Sequence, residues 1–209
     1  MVEKERSERS ISPIEGVYLA RWIEHFKPRL FIESGSDIGF SGECICEALA
    51  EYVQDPTFYT VEIDPDRARH ARERLARFSF ATVVTGRSDA WLKTWPKRVN
   101  APTAFFLDGP KGRGMLPVFR QIMRRFVNIQ FIAVHDCYCG GTQRQVVRDY
   151  FAHEYMTVFT DLHSRQMGFV FPSMGTMLQG RELAGRRLAR RARFDLWLWL
   201  LPLVKRVLR

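Results

Sequence analysis

The chain has 209 residues, 46% hydrophobic and 26% charged, with 32 Lys and Arg against 23 Asp and Glu for a net charge of +9. That apolar content excludes general disorder, and the length suits one α/β domain with a substantial core plus extra material. Four cysteines give no disulfide framework and residues 1–10 are mostly charged, without the apolar stretch of a secretory leader, so a reducing cytosol is expected.

In chain order, a helix is expected over 14–26, followed by the apolar run Phe31-Ile32, which ends in Glu33-Ser34-Gly35-Ser36-Asp37-Ile38-Gly39. A helix over 41–53 leads to a second strand, Tyr59-Thr60-Val61, closed by Glu62-Ile63-Asp64. Asp64 before Pro65 reads as the N-cap of a helix over 65–78. Strands then follow at 81–85, closed by Gly86-Arg87-Ser88-Asp89, and at 103–107, closed by Asp108-Gly109-Pro110-Lys111-Gly112. A helix over 114–126, a strand over 131–134 closed by His135-Asp136, and a helix over 141–151 complete the alternation. Residues 155–161 and 167–171 read as a closing antiparallel pair. No internal repeat is seen. The pattern predicts an α/β, Rossmann-like, doubly wound and mostly parallel seven-stranded sheet, with polar or acidic residues at the carboxyl ends of its strands, where such sheets hold ligands.

An apolar strand, a glycine turn, a helix and a second strand ending in carboxylates describe a pocket for the ribose of a nucleoside-type cofactor. Dinucleotide sites favour G-x-G-x-x-G, whose second glycine admits a pyrophosphate; here the spacing is Gly35-x-x-x-Gly39-x-x-Gly42. Such a turn brings backbone close to a ligand without committing the helix N-terminus to a diphosphate, which suits S-adenosylmethionine and leaves an NAD-dependent oxidoreductase as the less favoured reading. Glu62, with two acceptor oxygens, suits both ribose hydroxyls.

The order and content of these segments, from Ile14 to Pro172, resemble the class I S-adenosylmethionine-dependent methyltransferases. The likeness is greatest to the small O-methyltransferases of the catechol and caffeoyl-CoA type and to bacterial glycan or natural-product methyltransferases. The resemblance implies Glu33, Gly35, Gly39 and Ser41 around the methionine part of the cofactor, Glu62 on the ribose, and Ser88 and Asp89 beside the adenine. In the catechol-type enzymes an aspartate that binds a divalent metal is followed three residues on by a lysine that acts as base, and Asp108 and Lys111 stand in that relation. Asp136 matches a second metal aspartate. Two departures stand out: Cys137 follows Asp136 where that family usually has Asn, and His135 precedes it.

Methyl transfer is an in-line displacement that needs a nucleophile held near the sulfonium methyl and relieved of its proton. Mg²⁺ or a similar hard cation on Asp108 and Asp136 would lower the pKa of a bound hydroxyl, with Lys111 or His135 taking the proton; without metal, His135 is the expected base. Each residue also has a plainer reading. Asp108 before Gly109-Pro110 would start a turn, His135 would be a partly buried histidine bonded to backbone, and Lys111 a solvated loop cation. Cys44 and Cys46 fall on different faces of one helix, and Cys137 and Cys139 read as loop thiols rather than a zinc site.

The expected domain spans 1–172, with a linker over 173–180 and a separate tail over 181–209. The tail carries nine Arg and Lys against Glu182 and Asp195, a net +7. Its core, Phe194-Asp195-Leu196-Trp197-Leu198-Trp199-Leu200-Leu201-Pro202-Leu203-Val204, is apolar around most of a helix and too short to cross a bilayer. Tryptophans among leucines, flanked by arginines, suit a basic amphipathic helix on an anionic membrane, which would make the protein peripheral on the inner face. The other uses of the tail are packing on the domain or on a second copy in a homodimer, or a lid. The expected acceptor is a hydroxyl of a small or a glycan- or lipid-linked molecule. The competing functions are a catalytically silent cofactor-binding or membrane-recruiting module and a nucleic-acid methyltransferase.

Overall fold

A computed structural model describes residues 11–137, 142–151, 156–159 and 167–171. The expected linker and basic tail, and Cys139, lie outside the described residues. The strands are β1 (Leu30–Ser34), β2 (Thr57–Glu62), β3 (Ala81–Thr85), β4 (Thr103–Leu107), β5 (Ile129–Val134), β6 (Met156–Phe159) and β7 (Gly168–Phe171). The helices are α1 (Pro13–Phe26), α2 (Phe40–Tyr52), α3 (Pro65–Leu75), α4 (Ser88–Leu92), α5 (Leu116–Arg125) and α6 (Thr142–Phe151), with a 3₁₀ turn at Gly112–Met115.

The sheet runs in the order β3-β2-β1-β4-β5-β7-β6. Strands β1 to β5 are parallel, and β7 joins β5 antiparallel with β6 outside it, so the mostly parallel sheet and its closing antiparallel pair are both present. Because the chain winds outward from β1 to β3 and then returns to β4 on the other side, the carboxyl ends of β1 and β4 flank a topological switch point. That position fixes where a ligand can enter.

Central strands of a parallel sheet are covered on both faces, and all five residues of β1 and all five of β4 are buried. Alternate residues therefore supply two cores. On one face Phe31, Phe58, Phe106, Phe131 and Phe169 pack against Leu19, Trp22 and Ile23 of α1 and Ile45 and Leu49 of α2. On the other Ile32, Phe105, Leu107 and Ile132 pack against Val118, Phe119 and Ile122 of α5 and Val147 and Phe151 of α6. Strand β3, at the edge, has no buried residue. Several boundaries differ from the sequence expectation, two of them beside the site. The helix over 65–78 ends at Leu75, where Phe78 turns back to bond Leu75 and to receive Ala81. Ser88–Leu92, expected as the polar closure of β3, is a short helix anchored by Leu92 in the second core.

The helix starts follow from local chemistry. Ser12 and Glu15 form a reciprocal capping box on α1, with Pro13 in the first turn. Asp64 caps α3, accepting from the amides of Asp66 (2.9 Å) and Arg67 (3.2 Å). Helix α2 starts differently, at Gly39 with φ 90°, where a Cβ would lie 3.1 Å from the Ala71 Cα of α3. Gly39 thus sets the approach of α2 to α3. We expect Gly39→Ala to lower unfolding stability by about 2 kcal/mol, through the left-handed backbone and the forced displacement of α3, as read by urea denaturation.

Candidate active site

The carboxyl ends of all five parallel strands converge on one open cleft of about 450 Å³. Gly35 and Asp37 come from the turn after β1, Glu62 and Ile63 from the end of β2, and Gly86 to Asp89 from the end of β3. Asp108 to Lys111 follow β4, and Asp136 follows β5.

The floor is set by contact between the β1 and β4 turns. Gly35 has φ 87°, and a Cβ there would lie 2.9 Å from the amide nitrogen of Gly109, so only glycine lets the two turns meet. The amides of Asp108 and Gly109 both donate to the Ser34 carbonyl, at 2.8 and 2.9 Å. The Ser34 hydroxyl lies against the Gly109 carbonyl and 2.6 Å from the Ser88 hydroxyl. With one proton per hydroxyl, Ser88 donates to Ser34 and Ser34 to Gly109. Three strand ends are thereby joined through side chains.

Glu62 is almost wholly buried yet lines the cleft. One of its oxygens accepts from the Asp37 amide at 2.9 Å and the other from the Asp64 amide at 3.0 Å. A carboxylate held this way keeps its orientation and retains one lone pair on each oxygen for a ligand. Asp37, at φ 47°, is steadied by an ion pair with Arg67 at 3.2 Å. Ile63 follows, 65% exposed on the cleft side, an aliphatic surface next to a fixed carboxylate.

Glu33, Gly39 and Ser41 are not part of the cleft wall. Glu33 is fully buried and accepts the Ser41 hydroxyl, which ties β1 to the first turn of α2. Burial pushes its carboxyl up to about 7, with the Ser41 hydroxyl opposing the rise.

At the opposite end of the cleft Lys111 bridges two carboxylates: its ammonium donates to Asp108 and, at 2.6 Å, to Asp136. Burial works against the charge of Lys111, but Asp108 and Asp136 outweigh it and raise the pKa. Behind Asp108 stands His135, 1% exposed and outside the cleft wall. Its Nδ1 is 2.7 Å from Asp108 Oδ1 and its Nε2 is 3.4 Å from Glu15 Oε1. Burial opposes protonation here too, but Asp108 on one side and Glu15 on the other lift His135 to about 9, so it is an imidazolium at neutral pH. His135 is thus held between two carboxylates and away from the cleft wall.

Asp108, His135 and Asp136 bring one donor atom each within 4.8 Å of one another. The residues nonetheless fit a resident divalent ion poorly. Lys111 occupies the gap between the carboxylates, and His135 Nδ1 is engaged with Asp108.

Sequence reading missed Glu15, Ile63, Asp37 and Arg67. Glu15 is visible as the capping-box glutamate of α1, which conceals that its second oxygen faces His135. Ile63 was visible only as an apolar residue lodged between Glu62 and Asp64.

The fold is shared with solved methyltransferase structures. No protein-family model matches the chain, and no curated protein sequence does. Among solved structures it is similar to the O-methyltransferase from Bacillus cereus in complex with S-adenosylhomocysteine, at 15% identity over 81% of this chain and 86% of that chain, TM-score 0.64. It is similar as well to the Streptomyces achromogenes O-methyltransferase of tomaymycin synthesis, in complex with S-adenosylmethionine, at 17% identity over 81% and 84% of the two chains, TM-score 0.64. The methyltransferase PaMTH1 from Podospora anserina, bound to S-adenosylhomocysteine, aligns at 15% identity over 80% and 82%, TM-score 0.61.

The Glu33 environment gives a pH signature. A carboxyl at about 7 in the folded chain, against 4.5 ordinarily, retains a proton that the unfolded chain has lost, so the stability contributed by Glu33 falls as pH rises between those values. The difference corresponds to roughly 3 kcal/mol. Urea denaturation between pH 4 and 6.5, below the range in which His135 adds a decline of its own, should show that fall in the wild type and a much flatter profile in Glu33→Gln.

Proposed function

We propose that this chain is an S-adenosylmethionine-dependent methyltransferase acting on an oxygen of a small-molecule acceptor. The observation that carries the reading is Glu62, a carboxylate locked by two backbone amides at the end of β2 and facing the switch-point cleft. That geometry suits a ribose diol, which offers two hydroxyl donors to the two remaining lone pairs.

The rest of the cleft divides accordingly. Ile63 covers one face of the adenine, with Ser88 and Asp89 at its edge. Gly35, lacking a side chain, lets the methionine part pass close to backbone, and Glu33, Gly39 and Ser41 support that turn from behind. The sulfonium methyl then points toward Asp108, Lys111 and Asp136. The acceptor oxygen attacks the methyl carbon, the carbon–sulfur electron pair returns to sulfur, and the hydroxyl proton passes to Asp136 and on to solvent. Lys111, held charged, steadies the developing oxyanion, and orientation supplies much of the rate. His135 and Glu15 position Asp108 and do not touch the acceptor. Mg²⁺ or another divalent cation has no step in this reading, for the reasons of donor chemistry given above.

The tail over 181–209 adds a place to the activity. We read it as a peripheral anchor on an anionic, inner-face membrane, which would bring glycan- or lipid-linked acceptors within reach; its net +7 and its two tryptophans support that use. Among the described residues no helix is long and apolar enough to cross a membrane.

Calorimetric titration with S-adenosylhomocysteine tests the central claim, with NAD as the control ligand. Saturable binding of the first alone is expected, and Glu62→Ala, folded by circular dichroism, should lose about 100-fold in affinity or more, the worth of two charge-assisted hydrogen bonds. Tight NAD binding without S-adenosylhomocysteine binding would reverse the assignment. Separately, removing residues 181–209 should release the protein from anionic vesicles while leaving that affinity nearly unchanged, as read by co-sedimentation.

A further inference from the structure

Resting on the methyltransferase reading, we propose that Lys111 is the built-in cation of this site: its ammonium takes the position between Asp108 and Asp136 that a divalent ion holds in the catechol-type enzymes. The site therefore works without metal and grips its acceptor by one oxygen.

The first support is position. Lys111 donates to a carboxylate oxygen on each side, to Asp108 and to Asp136 at 2.6 Å, so it fills the gap between them instead of extending into solvent. Its backbone is held there as well, because the amide of the next residue, Gly112, donates to the Gln143 side chain at the start of α6 at 2.5 Å.

The second support is the balance of charge. Asp108 receives His135 on the face opposite the cleft and Lys111 on the near side. A divalent ion added to this arrangement would meet an ammonium at contact distance and gain no carboxylate not already paired, and repulsion between like charges at that range is large wherever water is scarce.

A consequence follows for the acceptor. An ammonium has three N–H groups, and two are committed to Asp108 and Asp136, which leaves one for the acceptor. A metal ion with open positions can chelate a vicinal pair of hydroxyls, whereas a single N–H holds a single oxygen. Isolated hydroxyls should thus serve as well as vicinal diols.

The test is Mn²⁺ uptake by the full-length protein saturated with S-adenosylhomocysteine, followed by the paramagnetic resonance signal of free Mn²⁺. The wild type should leave Mn²⁺ free into the millimolar range. Lys111→Met, confirmed as folded by circular dichroism and by retained S-adenosylhomocysteine binding, should take up one Mn²⁺ at least ~10-fold more tightly than the wild type. Asp108→Asn in that background should abolish the gain. Uptake of one Mn²⁺ at micromolar concentration by the wild type would overturn the proposal, and so would a folded Lys111→Met protein that binds none. Failure of S-adenosylhomocysteine binding would instead overturn the methyltransferase reading, so the two failures are separable.

Discussion

The cleft depends on how closely β1 and β4 approach each other at their carboxyl ends. The two strands are neighbours at the point where the winding of the sheet reverses, and the turns leaving them diverge only after Gly35 has passed against the Asp108-Gly109 peptide. A side chain at residue 35 would wedge the turns apart, break the paired amide bonds to Ser34 and carry Asp108 away from His135 and Lys111. One missing Cβ therefore sets both halves of the site: the carboxylate end at Glu62, through the turn that carries Asp37, and the charged end at Asp108.

The charged end is organised as an alternating row in which Glu15, His135, Asp108, Lys111 and Asp136 follow one another from the buried side of α1 to the open cleft. Buried ions are stable only when paired, and each internal member of this row has an opposite charge on both sides. Burial increases toward Glu15 and exposure toward Lys111, so the row connects the interior to the ligand space. Its inner members reach the cleft only through Asp108. A change at Glu15 would for that reason be felt first in the orientation of Asp108, although no described residue of its helix lines the cleft.

Much of this architecture was legible in the sequence, and the reasons are physical. Strands buried on both faces must be apolar throughout, and ligand-facing strand ends must be polar, so Phe31-Ile32, Val61-Glu62, Phe106-Leu107-Asp108 and Val134-His135-Asp136 mark both the strands and the side on which ligands sit. Asp64 before Pro65 likewise announced the start of α3. Illegible were the features fixed by tertiary approach. Five residues are too few for helical periodicity, which hid α4. Nothing local distinguishes a lysine that reaches across to Asp136 from one that extends into water, and nothing local shows that Glu15 faces a histidine 120 residues away.

The glycine motif shows where a resemblance needs physical correction. Gly35 and Gly39 carry similar backbone angles, at φ 87° and 90°, yet the space each one frees is different. Gly35 lies at the cleft and admits the neighbouring turn, while Gly39 faces Ala71 and admits a helix. Glu33 and Glu62 divide in the same way, one fully buried against Ser41 and the other turned to the cleft between two amides. Within a single motif, then, one glycine and one carboxylate build the scaffold while the other glycine and carboxylate face the cleft. The distinction lies in which neighbour each approaches, because residue type and spacing are shared by both members of each pair.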